Sequence, residues 1–211
     1  MPPSRLFVRA LLVAAVAVPA LRAEDSEFLG FQVGLGRPVG ALADWSSGKP
    51  VFNLGVHQAI DEGEGTMLRT HIDLLTGIKG QATLDLPVAG APVQATLENH
   101  FTEVAIGIDA LYFFNGDIGH GAYLLGGVGG ISTRLSSACV GNAAGGDSNW
   151  PVSGTLNTTS NKFFWSAGVG WQQSHRVGFE LRYLNSRFSY QQIYFQNATV
   201  TAAVTFRFGL D

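Results

Sequence analysis

The chain has 211 residues, of which 14% are charged, and its formal net charge at pH 7 is −3. This balance excludes a nucleic-acid-binding surface, which requires a basic patch or stripe. The single cysteine, Cys139, excludes an internal disulfide framework, and the length fits one domain.

The first 23 residues predict a secretion signal. Arg5 and Arg9 form a basic start, residues 10–21 form an apolar stretch, and the sequence ALRA at 20–23 fits a cleavage site between small residues. The apolar stretch is too short for a transmembrane helix, which needs about 20 residues. Cleavage after Ala23 would leave residues 24–211 as the mature domain.

The remaining chain predicts eight strands. Short alternating runs are separated by turn-rich segments, and no run shows a sustained 3.6-residue apolar period or 18 consecutive apolar residues. The run at 120–132 is the weakest because it contains five glycines. The predicted strands span 28–36, 51–60, 66–76, 98–113, 120–132, 162–173, 177–188 and 198–208.

The last strand shows the alternation most clearly. One face is apolar and the other is largely polar, over a length that suits a tilted membrane-spanning strand of about 9–11 residues. The apolar face contains Ala198, Val200, Ala202, Val204, Phe206 and Phe208. The other face contains Thr199, Thr201, Ala203, Thr205 and Arg207.

Bulky apolar residues share one face in the other strands too, and charged residues or glycines share the opposite face. In 162–173, for example, Trp165 and Trp171 alternate with Gly168 and Gly170. Eight strands enclose a space only just wide enough for side chains to fill. We therefore expect the bulky faces to point outward into lipid and the charged faces to point inward.

The connections alternate in length. Those at 61–65, 115–119 and 174–176 are short, whereas those at 37–50, 77–97 and 133–161 are long and rich in small and polar residues. Outer-membrane barrels have short periplasmic turns and long external loops. The sequence thus predicts an all-β fold: an eight-stranded antiparallel up-and-down transmembrane β-barrel with both termini in the periplasm. A soluble lipocalin-like barrel has the same strand order and remains the alternative.

Two segments resemble a known family. Residues 167–183 (AGVGWQQSHRVGFELRY) and 198–208 (ATVTAAVTFRF) are similar to the last hairpin and final strand of small outer-membrane barrels, the family that includes the OmpX- and OmpA-like barrel domains. The resemblance implies an outer-membrane location, a monomeric barrel, and contact with outer-membrane lipid. It implies no single activity, since the family includes adhesins, structural anchors and enzymes.

The resemblance also implies an assembly signal at the end of the chain. Barrels of this type typically end in an aromatic residue that the barrel assembly machinery reads. Phe206 and Phe208 match that role here, although Gly209, Leu210 and Asp211 follow them.

The inward charges predict an interior network. A charge in a narrow lumen must be paired, because an unpaired one costs several kcal/mol. A turn near 175 would place Glu180 and Arg182 opposite Gly170 and Gly168, and a loop near 193 would place Glu180 about opposite Arg207. The predicted network, a plug that blocks conduction, consists of Arg69, Asp73, Glu103, Asp109, Glu180, Arg182 and Arg207.

Aromatic residues near the predicted strand ends indicate interfacial girdles, which flank the apolar band of outer-membrane barrels. These residues are Tyr112, Phe114, Phe163, Trp165 and Trp171.

Two arrangements could carry other chemistry. His57 and His71, near Asp73, could in principle bind a metal, but the expected register places His57 near Arg69, a poor neighbour for a cation. We therefore predict no metal site and no cofactor.

Barrel enzymes that deacylate lipid A carry a His and a Ser two residues apart on one strand. The comparable segment at 183–187 has no histidine, and the nearest spacing is His100–Phe101–Thr102. Cys139 lies in a predicted loop without a nearby histidine. We therefore predict no catalytic residue.

The sequence thus predicts a non-enzymatic surface or structural barrel. Its long loops, 133–161 above all, could bind an extracellular ligand. The alternatives are a lipid A-modifying enzyme, a narrow channel for small solutes, and a soluble lipocalin-like binder.

Overall fold

The computed structural model describes residues 27–88, 91–142, 151–190 and 193–209. The predicted signal with its cleavage site at Ala23 lies outside these residues, as do Leu210 and Asp211. The described residues form the strands β1 (Glu27–Val39), β2 (Val51–Gly63), β3 (Thr66–Gly77), β4 (Gly80–Val88), β5 (Ala91–Phe113), β6 (Gly121–Asn142), β7 (Pro151–Gln172), β8 (Val177–Tyr190) and β9 (Ile193–Gly209), and one helix, α1 (Ala41–Trp45).

Eight of the strands close into an antiparallel ring. Their order is β3-β2-β1-β9-β8-β7-β6-β5, and pairing of β3 with β5 closes it. The first and last strands of the chain pair with each other along most of their length. A closed ring has no free edge, so backbone groups in the wall find their partners in neighbouring strands. The predicted eight-stranded barrel is confirmed.

The ninth strand, β4, lies outside the ring. It pairs with the first part of β5, from Gly80↔Asn99 to Val88↔Ala91. The prediction that 77–97 is a loop is therefore wrong, because β4 and the first part of β5 form an antiparallel pair of strands that extends to Val88↔Ala91. The prolines at 87 and 92 lie opposite each other near its tip, and such residues favour the interpretation as a loop.

The predicted loop at 133–161 is also largely β-structure. The ladder between β6 and β7 continues from Thr133↔Ser160 to Asn142↔Pro151. Strands β5, β6 and β7 therefore extend well beyond the predicted ends at 98, 132 and 162. Serine, threonine and asparagine occupy much of this extension, so it has no apolar face that periodicity could reveal.

The three short turns are where the sequence predicts them. In the turn at 174–176, the Ser174 hydroxyl accepts hydrogen bonds from the backbone N–H groups of Arg176 and Val177. In the turn at 61–65, Gly63, Glu64 and Gly65 adopt positive φ, and the two glycines permit this at little cost. We call the end of the barrel at which the three short turns lie the turn end, and the opposite end the loop end.

The faces of the strands are confirmed as predicted. Val33, Leu54 and Val169 point outward and are half exposed, whereas Arg69 and Asp109 point inward and are buried. The expectation that bulky residues lie only outside is wrong, however. The interior also contains buried aromatic side chains, namely Phe101, Phe113, Tyr123, Phe164 and Phe188.

The helix α1 lies at the loop end, in the predicted connection 37–50. Its Leu42 is fully buried and packs with Val51, Phe101, Leu135 and Phe188. One helical turn is too short to give a periodic signal, so the sequence did not predict it. Within the described part of the chain, no helix is long and apolar enough to cross a membrane.

Candidate functional site

The barrel interior is layered along its axis. A lower apolar cluster fills the turn end and consists of Ala59, Met67, Leu111, Phe113, Tyr123 and Leu125. A middle apolar cluster consists of Ala105, Ile131, Phe164 and Leu184. An upper apolar cluster at the loop end consists of Leu42, Val51, Phe101, Leu135 and Phe188. By strand position, charged side chains lie between the lower and middle clusters.

Arg69 lies at the centre of these charged side chains. Its Nη2 is 2.8 Å from Asp109 Oδ2, and its Nη1 is 2.7 Å from Glu180 Oε2. Its Nε donates a further hydrogen bond to Asp109 Oδ2 at 3.1 Å. The fork of the guanidinium thus bridges carboxylates on two strands, β5 and β8, which suits its planar geometry.

Arg182 contacts three carboxylates. Its Nη2 is 2.6 Å from Asp109 Oδ2, its Nη1 is 3.2 Å from Asp73 Oδ2, and its Nε is 3.0 Å from Glu180 Oε1. We call Arg69, Arg182, Asp73, Asp109 and Glu180 the ionic cluster. All five side chains are at most 5% exposed.

Four further side chains complete the ionic cluster. Gln32 donates to Asp73 at 2.6 Å, Tyr123 donates to Glu180 at 3.2 Å, and Ser166 donates to Asp109 at 3.4 Å. The His71 ring lies between two carboxylates, with Nδ1 2.8 Å from Asp73 Oδ2 and Nε2 3.4 Å from Asp109 Oδ1. Buried charges are tolerated when they are both paired and hydrogen-bonded, and these charges meet that condition.

Glycines provide space for the carboxylates. Gly127 faces Asp109 and Gly55 faces Asp73 across the ladders. A Cβ at either glycine would overlap the carboxylate opposite, whereas a Cβ at Gly126 would meet nothing within 4 Å. The glycines that weaken the strand signal at 120–132 thus include one that makes room for the charged interior.

The structure brings together five of the seven residues of the predicted network, the members of the ionic cluster. The pairs Gly170↔Glu180 and Gly168↔Arg182 have the predicted register. The predicted pairing of Glu180 with Arg207 is wrong, because Glu180 lies opposite Ala203. The last pair of the β8–β9 ladder is Tyr190↔Ile193. The two strands therefore meet earlier in the sequence than a loop near 193 would allow.

Glu103 lies apart from the ionic cluster. Its Oε1 accepts hydrogen bonds from the Thr133 hydroxyl at 2.8 Å and from the Asn197 amide. In the described ranges no cation lies within ion-pair distance of Glu103. Glu103 is fully buried, and its hydrogen-bond partners are neutral polar groups.

Arg207 is also separate and lies at the turn end. Its Nη1 donates to the Ile118 carbonyl at 3.0 Å, and its guanidinium carbon lies 5.7 Å from the centre of the Phe113 ring. None of the described carboxylates forms an ion pair with it. Arg207 therefore packs against the lower apolar cluster as a cation over an aromatic ring.

The two inward histidines are neighbours. His57 lies directly opposite His71, so the predicted position of His57 opposite Arg69 is wrong. Both histidines are buried. The described residues contain no group of three or more His, Cys, Asp or Glu that could hold a metal ion.

The nearest candidate for hydrolytic chemistry lies on the outer face. His100 and Thr102 are half-buried on β5, and His100 Nε2 is 3.4 Å from the hydroxyl of Thr76. Cys139 lies on β6, where its backbone pairs with Leu97 and Gly154. The prediction that Cys139 lies in a loop is therefore wrong.

The outer surface of the barrel is an apolar belt. Leucine, valine, phenylalanine and tryptophan side chains on the ring strands point outward and are exposed, among them Leu35, Val56, Val128 and Leu181. Water would disfavour so large an apolar surface, whereas lipid matches it. Barrels with an outward apolar band and an interior of polar groups are outer-membrane proteins, and the chain is located in an outer membrane.

The five predicted girdle residues are all exposed on this outer face. Tyr112, Phe114 and Trp171 lie near the turn end, whereas Phe163 and Trp165 lie nearer the loop end. The rings of Tyr112 and Phe114 meet edge to face at 6.0 Å. Their role in interfacial girdles stays a prediction.

The predicted assembly-signal residues contact the first strand. The Phe206 and Phe208 rings lie 4.7 and 5.9 Å from the Phe31 ring, and Phe208 is half exposed. Recognition of Phe206 and Phe208 by the assembly machinery stays a prediction.

Comparison with solved structures finds similar folds at low sequence identity. The attachment invasion locus protein Ail of Yersinia pestis matches with a TM-score of 0.48 and 9% identity, covering 87% of this chain and 97% of Ail. The N-terminal β-barrel domain of Pseudomonas aeruginosa OprF gives 0.48 and 9%, covering 88% and 100%. Neisserial surface protein A gives 0.48 and 14%, covering 86% and 97%. No protein-family model and no curated protein matches the sequence. At these identities the similarity concerns the fold alone.

Proposed function

We propose that the protein is a closed, non-enzymatic outer-membrane barrel that anchors extended β-structure at the cell surface. The observation that carries this proposal is the ionic cluster, which fills the middle of the lumen. Its five charged side chains come from β3, β5 and β8, so they connect opposite parts of the barrel wall. Outer-membrane lipid and the assembly machinery are the partners that the proposal requires, and the barrel acts as a monomer.

The apolar clusters support a closed lumen. The lower cluster lies between the ionic cluster and the turn end, and the middle and upper clusters lie between the ionic cluster and the loop end. An eight-stranded barrel has little free interior, whereas porins that conduct water and solutes use 16–18 strands. We infer that solutes have no aqueous path through the lumen, which argues against the narrow channel.

The loop end supports the anchoring role. Beyond the ring, β4, the first part of β5, the last part of β6 and the first part of β7 form a continuous antiparallel sheet. This sheet would project from the outer surface of the membrane. Binding of an extracellular ligand to this sheet is part of the proposal.

The enzyme alternative lacks an accessible site. His71, Asp109 and Ser166 lie close together, but all three are buried within the lumen, where no lipid substrate could reach them. On the outer face, His100 contacts Thr76 and not an acidic partner among the described residues. A nucleophile needs an adjacent base that a third group orients. We therefore expect lipid A from cells with and without the protein to have the same acylation by mass spectrometry.

Planar-bilayer recording tests the closed barrel. We expect the refolded protein to give no steady unitary current, because the ionic and apolar clusters fill the lumen. A 16-stranded porin, refolded and inserted in the same bilayers, serves as the positive control for insertion and detection. Stable, large unitary currents from this protein would contradict the proposal and indicate a pore.

A further inference from the structure

The barrel wall opens locally between β7 and β8. Their ladder ends at the pair Phe164↔Ser186, although both strands continue toward the loop end. Beyond this pair, the ladders of the described residues join β7 to β6 and β8 to β9. A hydrogen bond from the Ser189 N–H to the Ser160 hydroxyl, 3.3 Å long, bridges the two strands farther out. A cleft of about 1070 Å³ lies at this opening.

The cleft lies at the loop-end rim of the apolar belt. Phe163 and Trp165 line it from β7, and Tyr194 lines it from β9. Phe163 is 66% and Tyr194 75% exposed. From Trp171 to Phe163 the strand rises roughly 26 Å at about 3.3 Å per residue, and less along the tilted barrel axis, while the apolar band of such barrels is about 25 Å tall. With Trp171 taken as the turn-end interface, this height places the cleft near the level where acyl chains meet headgroups.

Two cations line the cleft. By strand alternation, Lys162 lies on the lumen-side face of β7 and Arg187 on the outer face of β8, so they approach the opening from both sides of the wall. Neither forms an ion pair with a carboxylate of the described residues. In a chain with 16 acidic and 13 basic residues, two neighbouring cations without acidic partners favour an anionic ligand.

Neutral polar groups keep the rest of the cleft in place. The Asn185 amide donates to the Tyr183 hydroxyl at 2.8 Å, and the Gln196 amide donates to the same oxygen at 3.4 Å. The Tyr183 ring in turn packs against Trp165, with centroids 5.4 Å apart. Tyr183 therefore links the aromatic wall of the cleft to the Asn185 and Gln196 amides.

We propose that this cleft binds a phosphorylated lipid of the outer leaflet. The phosphate lies between Lys162 and Arg187, and an acyl chain lies along Phe163 and Trp165. The Arg187 guanidinium offers several N–H donors and Lys162 an ammonium, both of which suit phosphate oxygens. A peptide strand fits less well, because the Ser189–Ser160 bridge limits the open part of the ladder to a few residues. This proposal requires the membrane location but not the closed lumen.

Native mass spectrometry of the refolded protein, released from detergent micelles, tests the proposal. The probes are diphosphorylated lipid A and, separately, phosphatidylcholine. The test variant is Lys162→Gln/Arg187→Gln. The matched control, Arg37→Gln/Lys49→Gln, removes the same two charges from exposed positions in and after β1. Heat-modifiability on a gel first shows that each variant is folded.

We expect the wild type and the control to retain one lipid A and to prefer it over phosphatidylcholine. We expect the test variant to bind lipid A at least about tenfold more weakly, a change of about 1.4 kcal/mol. The single variant Arg187→Gln, at an exposed position, provides a second reading if the double variant folds poorly. Unchanged binding in the folded cleft variants, or equal retention of both lipids by the wild type, would overturn the proposal.

Discussion

Replacing Glu180 with Gln is expected to lower the free energy of unfolding by about 3–5 kcal/mol. Glu180 pairs with both Arg69 and Arg182 and accepts a hydrogen bond from Tyr123. The amide keeps the size of the side chain but removes its charge. Two buried guanidinium groups then lose a carboxylate partner in a lumen from which apolar clusters exclude water.

The matched control is Glu103→Gln. Glu103 is as deeply buried as Glu180, but its partners Thr133 and Asn197 are neutral. No cation loses a partner, so we expect a cost below about 1 kcal/mol, the size of an ordinary hydrogen-bond change. Equilibrium unfolding in guanidinium, with the protein in lipid vesicles, measures both. Equal costs for the two substitutions would show that the ion pairs of Glu180 do not stabilise the barrel.

Val33→Arg is expected to destabilise the protein by about 2–4 kcal/mol in a bilayer. Val33 points outward, is half exposed, and lies between Leu54 and Val204 in the middle of the belt. An arginine there must place its charge in the hydrocarbon. The same vesicle unfolding assay measures the change.

Phe114→Arg is the control for position. Phe114 is also exposed and apolar but lies at the turn end of β5, where an arginine can reach the headgroups. We expect a cost of about 0–1 kcal/mol there. A soluble lipocalin-like barrel would instead tolerate both substitutions, since an exposed arginine in water costs little. Tolerance of both substitutions would show that the apolar belt does not lie in a membrane.

The faces of the strands could be predicted because the two environments differ so strongly. Lipid accepts bulky apolar groups and the narrow lumen accepts charges and glycines, so a period of two marks each face. Val169 and Gly170 illustrate this. Where both faces contain small or apolar residues, as at 120–132, the sequence alone left the strand weakly defined.

Register could be predicted across short turns but not across long connections. The turn at 174–176 leaves little freedom, so Gly170 and Glu180 pair as expected. The predicted connection between β8 and β9 is longer, so its centre is less well defined. When the centre of the connection is displaced by about two residues, the residue opposite Glu180 changes by about four positions. Glu180 consequently faces Ala203 and not Arg207.

The interior aromatics could not be predicted from composition. Tyr123 and Phe164 fit inside because glycines lie beside them: a Cβ at Gly170 would overlap the Tyr123 ring, and a Cβ at Gly129 the Phe164 ring. The signal is a large residue opposite a glycine on the neighbouring strand. This pairing of a large residue with a glycine can be recognised only when the strand register is known.

Chemical labelling of a cysteine in the lumen tests the closed barrel most directly. In a Cys139→Ser background, Ser166→Cys places a thiol beside the ionic cluster, and Lys49→Cys places one at an exposed position at the loop end. We expect a charged, water-soluble maleimide to label Lys49→Cys at once in the folded protein and to label Ser166→Cys only after unfolding. Labelling of both thiols at similar rates in the folded state would show that water reaches the ionic cluster, and would contradict the closed barrel.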